Sequence, residues 1–195
     1  MKHNLIKDNI SKDDFNHLIN YLKIDDSIRA SRKDRLTKIF YILYLTGIRV
    51  NETTQLTNNN LIDLLNYKEL KIISHKQKNE KYIYITEQSK KMLSKVFFDL
   101  IANDDFIFVS ERGNKKQPMR SNAVTLDVNS YLKKVFINKR ITSHSFRQSL
   151  ISDLATKNIN TKIIQSLIGH KDIKTTYRYI KPSQIDIINS LDTVR

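Results

Sequence analysis

The chain of 195 residues has no cysteine. That removes disulfides, thiol nucleophiles and zinc–thiolate centres together, and leaves histidines and carboxylates as the available metal ligands. It has no tryptophan, three glycines and two prolines. With Lys, Asn and Ile abundant, this is the composition of an AT-rich coding genome, whether bacterial, viral or organellar. No apolar run approaches the length of a membrane span or carries the flanks of a signal peptide. The expectation is a soluble intracellular protein, cytoplasmic and nucleoid-associated in a bacterium, or organellar. Acidic residues are also in short supply: 20 stand against 34 Lys and Arg, for a formal charge of +14. That balance favours a polyanion partner, most often nucleic acid.

What is present is enough apolar material, 39%, to exclude wholesale disorder and build one core. The chain shows no internal repeat, low-complexity segment or linker, which predicts a single domain over 1–195. Residues 1–10 are polar and read as a flexible arm. SKDDFNHLINYL begins with Ser11 and Asp14 in capping-box spacing and continues at helical period. RLTKIFYILYLTG is a dense apolar run closed by Gly47, the pattern of a buried helix. ELKIIS and KYIYIT, rich in β-branched and aromatic residues around HKQKNEK, predict a hairpin. Asn58 to Asp63 reads as a third strand. TEQSKKMLSKVFFDL predicts a helix from a Thr86 cap to about Leu100, and DDFIFVS a short extended piece. ERGNKKQPMR is an exposed basic loop able to follow a phosphate backbone. SNAVTLDVNSYLKKVF is a helix, and KPSQIDIINSLDTVR a terminal one over 182–195 with Pro182 near its first turn. The fold class is therefore α+β, mostly helical, with a small antiparallel sheet.

The richest chemistry lies in HSFRQSLISDLATKNINTKIIQSLIGHKDIKTTYRY. His144 and Arg147, three apart on a helix, share a face that one anionic group could touch. Gly169 ends a second helix and leaves His170 on a turn, where functional side chains tend to be presented. Tyr177 and Tyr179 are two candidate nucleophiles. Upstream, TGIRVNETTQL sets Arg49 three residues before Glu52. Taken singly, each feature has a bland reading: an i,i+3 ion pair, a structural histidine, a solvated lysine loop.

Taken together, these segments resemble the tyrosine recombinases, the phage-integrase family. The resemblance is to its first arginine box (TGxRxxE), its HxxR motif, its leucine-glycine-histidine turn and its TTxxY motif. Ile168 stands in place of the usual leucine and Gln148 where many members carry another histidine. The resemblance covers almost the whole chain, without the helical DNA-clamping domain that most members carry upstream. In this it is similar to single-domain members of the fimbrial-inversion type or to Xer-like members. It implies the recombinase catalytic-domain fold and site-specific cutting and rejoining of double-stranded DNA through a 3′-phosphotyrosine link, without metal or cofactor. Integration, inversion and resolution are all compatible with it. The alternatives are a type IB topoisomerase and an inactive DNA-binding relative.

The resemblance also assigns roles. The spacing of nine residues from His170 selects Tyr179 over Tyr177 as nucleophile. Arg49 and Arg147 become forked donors to the phosphate oxygens, and Glu52 orients Arg49. His170 becomes a further donor, worth about 3 kcal/mol if it acts as an oxyanion-hole group. His144 accepts the phenol proton. The hairpin lysine that protonates the leaving 5′ oxygen falls at Lys76, with Lys78 as runner-up. The terminal segment, with Ile185, Ile187, Ile188 and Leu191, either packs on its own domain or, as the resemblance implies, docks on a neighbouring protomer; the expected assembly is a homotetramer on two DNA sites, the protein being a monomer or weak oligomer off DNA.

Overall fold

The computed structural model describes residues 7–74, 79–109, 116–170, 172–177 and 180. Among them are nine helices and one two-stranded antiparallel sheet, so the fold is mostly helical. The chain divides into two compact units, residues 1–150 and 151–195.

In the first unit, α1 (Lys12–Ile24) starts at Ser11, whose hydroxyl accepts from the Asp14 N–H while the Asp14 carboxylate accepts from the Ser11 N–H. This satisfies two of the free donors at the helix start. Its Phe15, Leu18 and Leu22 are buried with Leu36, Ile39, Phe40 and Leu43 of α2 (Ala30–Thr46) in one apolar core. Phe15 stacks on Tyr44 at 3.8 Å between ring centres. The α2 helix begins inside the charged stretch 25–33. It ends at Gly47, whose φ of 63° is the left-handed geometry that lets its N–H close on Leu43 O. A single turn, α3 (Val50–Thr53), follows.

The third strand expected at Asn58 to Asp63 is instead the start of α4 (Asn58–Tyr67). Thr57 and Asn60 cap it reciprocally, and Leu61 and Leu64, three apart, are its buried positions. A one-sided stripe at period three cannot serve a strand. The sheet pairs β1 (Glu69–Ser74) with β2 (Asn79–Tyr84) in the register Leu70 to Ile83 and Ile72 to Lys81, which is the hairpin the sequence predicted.

The next helix, α5 (Glu87–Val96), stops short of Leu100, with Phe97 as its C-cap closing on Leu93 O. The piece expected to be extended forms no strand over its described residues 104–109, where bends flank a single bridge residue, Phe106. It meets the chain through a Thr57–Phe106 bridge and a hydrogen bond from Ile107 N to Leu56 O. The helix α6 (Ser121–Val135) buries Val124, Val128, Tyr131 and Leu132, and its Asp127 pairs with Arg32 and Arg35 of α2. The chain divides within α7 (Ser143–Thr156). Phe146 of α7 is buried and stacked on Phe40, which fixes the helix's rotation.

Residues 7–10 of the expected arm lie along the start of α7 and the turn before it. Gln148 donates to Lys7 O, Arg140 N donates to the Asp8 carboxylate, and Ile10 N donates to Ser149 Oγ at 2.7 Å. In the second unit, α8 (Thr161–Ile168) is capped by Asn160 and ended by Gly169 at φ 72°. It is followed by the short α9 (Ile173–Tyr177).

Candidate active site

Arg49 occupies the junction between α2 and α3, at the N-cap of the short turn. One oxygen of Glu52 accepts from the Arg49 backbone N–H at 2.7 Å, and the other accepts from the Arg49 guanidinium at 3.1 Å. The carboxylate thus holds both ends of the same residue. The first oxygen also accepts from the Lys81 ammonium at 2.7 Å. Glu52 and Lys81 are 5% and 8% exposed, whereas the Arg49 side chain keeps 35% of its surface. Of the two cations on this carboxylate, Arg49 is therefore the one placed to meet a ligand.

Arg147 enters from α7. It is buried, and its guanidinium donates to the Gly47 carbonyl at 3.0 Å. The loop that presents Arg49 is thereby tied to the helix that presents Arg147. Gly47 is needed here for its positive φ; a Cβ would also sit 2.5 Å from Leu150 Cδ2, the far end of a side chain that can shift.

The charges act on one another. Burial alone would raise the Glu52 carboxyl, but Lys81 and Arg49 beside it outweigh that and hold it below its ordinary range. Burial drives Lys81 down to about 8 against the pull of Glu52, and Arg147 and Arg49 add to the fall. Lys81 is still an ammonium at neutral pH. His144 is accessible, yet enough protein surrounds its ring for burial to be the first cause lowering its pKa, followed by Lys7, Arg147 and Arg49. The lowered pKa favours the neutral imidazole, the form that can accept a proton, while the same cations disfavour the imidazolium that results.

In the second unit, His170 follows Gly169. Its carbonyl accepts from Gln165 Nε2 at 3.0 Å, and its Nδ1 lies 2.9 Å from the Thr176 hydroxyl. Thr176 is fully buried, so this contact satisfies its hydroxyl and fixes the ring. When the hydroxyl donates, Nε2 carries the proton; when the ring is cationic, both nitrogens do. Tyr177 is half exposed.

Of the residues expected from sequence, Arg49, His144 and Arg147 share one electrostatic field in the first unit, and His170 lies on its turn in the second. Lys76, Lys78 and Tyr179 lie outside the described residues, as does the terminal segment 181–195. Sequence reasoning missed Lys81. The signal was there in KYIYIT: Ile83 of the strand and Ile85 just past its end are buried, and counting back by two puts Lys81 on the same face. Among the described residues no three His, Asp or Glu side chains gather as a metal site.

Residues 8–184 match the phage integrase family. The chain belongs to that family, and among its members it is similar to the Xer-like tyrosine recombinases. It is 28% identical over 157 residues to the tyrosine recombinase XerC of Treponema denticola, covering 72% of this chain and 50% of the relative. It is likewise 28% identical over 157 residues to XerA of Pyrococcus horikoshii, covering 80% and 52%. The chain thus spans about half the length of the curated relatives it matches. The fold resembles the crystal structure of XerA recombinase, with a TM-score of 0.69 at 23% identity over 96% of this chain and 65% of that one. It also resembles the Tn1549 transposon integrase in complex with circular intermediate DNA, with a TM-score of 0.71 at 16% identity over 99% and 69%. A third likeness is XerH bound to palindromic difH substrate in a post-cleavage complex, at 0.69 and 15% identity over 94% and 51%.

Proposed function

We propose that the protein is a site-specific recombinase that cleaves and rejoins duplex DNA through Tyr179. The observation that carries this reading is the arginine pair. Arg49 and Arg147, about a hundred residues apart in sequence, are held at one loop, Arg49 by Glu52 and Arg147 of α7 by the Gly47 carbonyl, with the His144 imidazole in the same field. Two fixed guanidiniums are suited to the charge that grows on nonbridging phosphate oxygens. The Tyr179 phenol oxygen attacks phosphorus and gives its proton to His144. The P–O5′ bond breaks, and the departing oxygen takes a proton from Lys76. The 3′-phosphotyrosine keeps the energy of the broken bond, so the reverse attack by a 5′ hydroxyl reseals the strand without ATP. The charge of +14 supports grip on a duplex, and a tetramer on two sites is the assembly in which strands would be exchanged.

The test is a pool of duplexes nicked within randomised sequence, so that cleavage beside the nick frees a short fragment and traps the covalent complex. The wild-type chain should be recovered attached to DNA, Tyr179→Phe should bind without attaching, and Tyr177→Phe should attach normally. An unattached wild type, or exchanged results for the two tyrosines, overturns this assignment. Relaxation of supercoils without exchange between two sites would make the enzyme a topoisomerase.

A further inference from the structure

We propose that Lys81 is a positioning residue of strand cleavage: its ammonium anchors the Glu52 carboxylate, which in turn aims the Arg49 guanidinium at the scissile phosphate. This rests on the recombinase reading and adds a residue to it.

Three observations carry the inference. First, Lys81 is a lysine on the apolar face of β2, in phase with Ile83 and Ile85. A lysine at such a position is normally solvated or replaced, because burying an ammonium is costly unless it is paired. Its partner is a single carboxylate 2.7 Å away, itself almost wholly buried. Second, the carboxylate oxygen that Lys81 holds is the one that accepts from the Arg49 backbone N–H, while the other oxygen accepts from the Arg49 guanidinium. With one oxygen fixed at both the strand and the turn, the plane of the carboxylate is set, and with it the direction of the guanidinium fork. Without Lys81 the Glu52 side chain keeps its contacts to Arg49 but loses its anchor to a different element.

Third, exposure separates the roles. With 7% of its side-chain surface accessible against 35% for Arg49, Lys81 has little surface to offer a phosphate, whereas Arg49 keeps enough to meet one. A direct proton donor would need the opposite arrangement. Lys81 also ties β2 to α3, so the strand that follows residues 75–78, where the expected general-acid lysine falls, is pinned at the arginine turn by one ion pair.

The experiment uses the full chain and the nicked duplex that the wild type selects from the randomised pool, measured in single turnover. Lys81→Met should slow adduct formation about tenfold to a hundredfold, the usual consequence of a misplaced catalytic group. The final fraction of protein attached and the affinity for the duplex should stay within about twofold, because the interaction lost is one that matters in the transition state. A merely structural lysine would behave otherwise: fewer molecules would fold, so the end point would fall while the rate of the folded fraction stayed the same.

Since the chain has no cysteine, Lys81→Cys carries its only thiol. Aminoethylation of the unfolded variant rebuilds an ammonium of nearly the lysine length, and after refolding it should recover the rate. A neutral alkyl group of the same length should not. An unchanged rate in Lys81→Met overturns the proposal, as does a restored fold without a restored rate in the aminoethylated protein. Loss of folding in every neutral variant assigns Lys81 to structure alone and also overturns it. If the wild type forms no adduct, the recombinase reading itself has failed, and this inference falls with it. A wild type that attaches beside a Lys81→Met that keeps pace sinks only the role of Lys81.

Discussion

The arginine loop and the His170 turn hold their polar groups by opposite means. At the arginine loop, cations from three separate segments converge. Lys81 reaches Glu52 across 29 residues and Arg147 reaches Gly47 across 100, and one buried carboxylate and one carbonyl keep them there. At the turn, the contacts described are local ones: Gln165 donates to the His170 carbonyl five residues on, and the His170 ring lies against the Thr176 hydroxyl six residues on. A long-range cluster of like charges needs a buried counter-charge, and its strength depends on that one group. A local turn is specified by its own glycine, threonine and glutamine, so no single one of them dominates. Substitutions in the first region should therefore be severe and pH-dependent, and those in the second mild.

The most severe test of that contrast is Glu52→Gln. The amide keeps the shape but leaves Lys81 buried without a counter-ion and Arg49 unheld. Breaking a buried pair from one side costs about 3–5 kcal/mol, so urea unfolding should show a loss of that order and cleavage should vanish. The pH dependence gives the sign. In the wild type, Glu52 has a folded pKa below its unfolded value of 4.5. Its contribution is complete above about 4.5 and is lost as the pH falls below that, through the folded value. The variant should lack this acid-side slope. The wild type already gains stability as the pH rises from about 8 toward 10.5, because its folded state releases the Lys81 proton before the unfolded chain does; without the Glu52 charge that opposes this fall, the variant should gain more and start from a lower pH. A variant as stable as wild type, with the same acid slope, would remove Glu52 from the centre of the cluster.

Smaller, and aimed at the second tie of the arginine loop, is Gly47→Ala. The left-handed φ of 63° is strained for any residue with a Cβ. The added methyl also meets Leu150 Cδ2, the mobile end of a side chain that can move aside. The expected loss is about 1–2 kcal/mol, nearly all of it from the backbone. Because the Gly47 carbonyl holds Arg147, the cleavage rate should drop with little change in DNA affinity. If Leu150→Ala in the same chain restored the stability, the clash rather than the backbone would be the cause.

The same contrast explains what the sequence disclosed. Local chemistry was legible: the Ser11 capping box, the Gly47 and Gly169 helix ends, the hairpin around 75–78, and the i,i+3 pairing of Arg49 with Glu52 were all readable from adjacent residues. Asn58 to Asp63 misled because polar asparagines hide the Leu61 and Leu64 stripe. α5 ended early because Phe97 caps it rather than continuing it. Lys81 was hidden for a different reason. Its importance comes from a carboxylate 29 residues away, and the neighbouring loop lysines, judged by spacing against the family pattern, drew attention from the one whose strand phase points inward. The stretch 7–10, polar apart from Ile10, gave no hint that its backbone and Asp8 would serve α7 and the turn before it.

The mildest effect should come from the turn. Thr176→Val replaces the buried hydroxyl by a methyl of the same size, so no cavity forms and the helix end stays packed. What is lost is one hydrogen bond to His170 Nδ1, worth about 1 kcal/mol, and the constraint that directs the opposite nitrogen. If His170 serves cleavage by donating from Nε2, its ring in the variant loses the hydroxyl that favours that tautomer. The rate should then fall several-fold at saturating protein, while Glu52-dependent acid sensitivity is untouched. Single-turnover cleavage and an acid titration of unfolding, run on the same preparation, measure both. A loss of stability with an unchanged rate would make the hydroxyl a packing device and place the orientation of His170 on its backbone contacts to Gln165 instead. A change in the acid slope would mean that the two regions are coupled and that their opposite means of support are not independent.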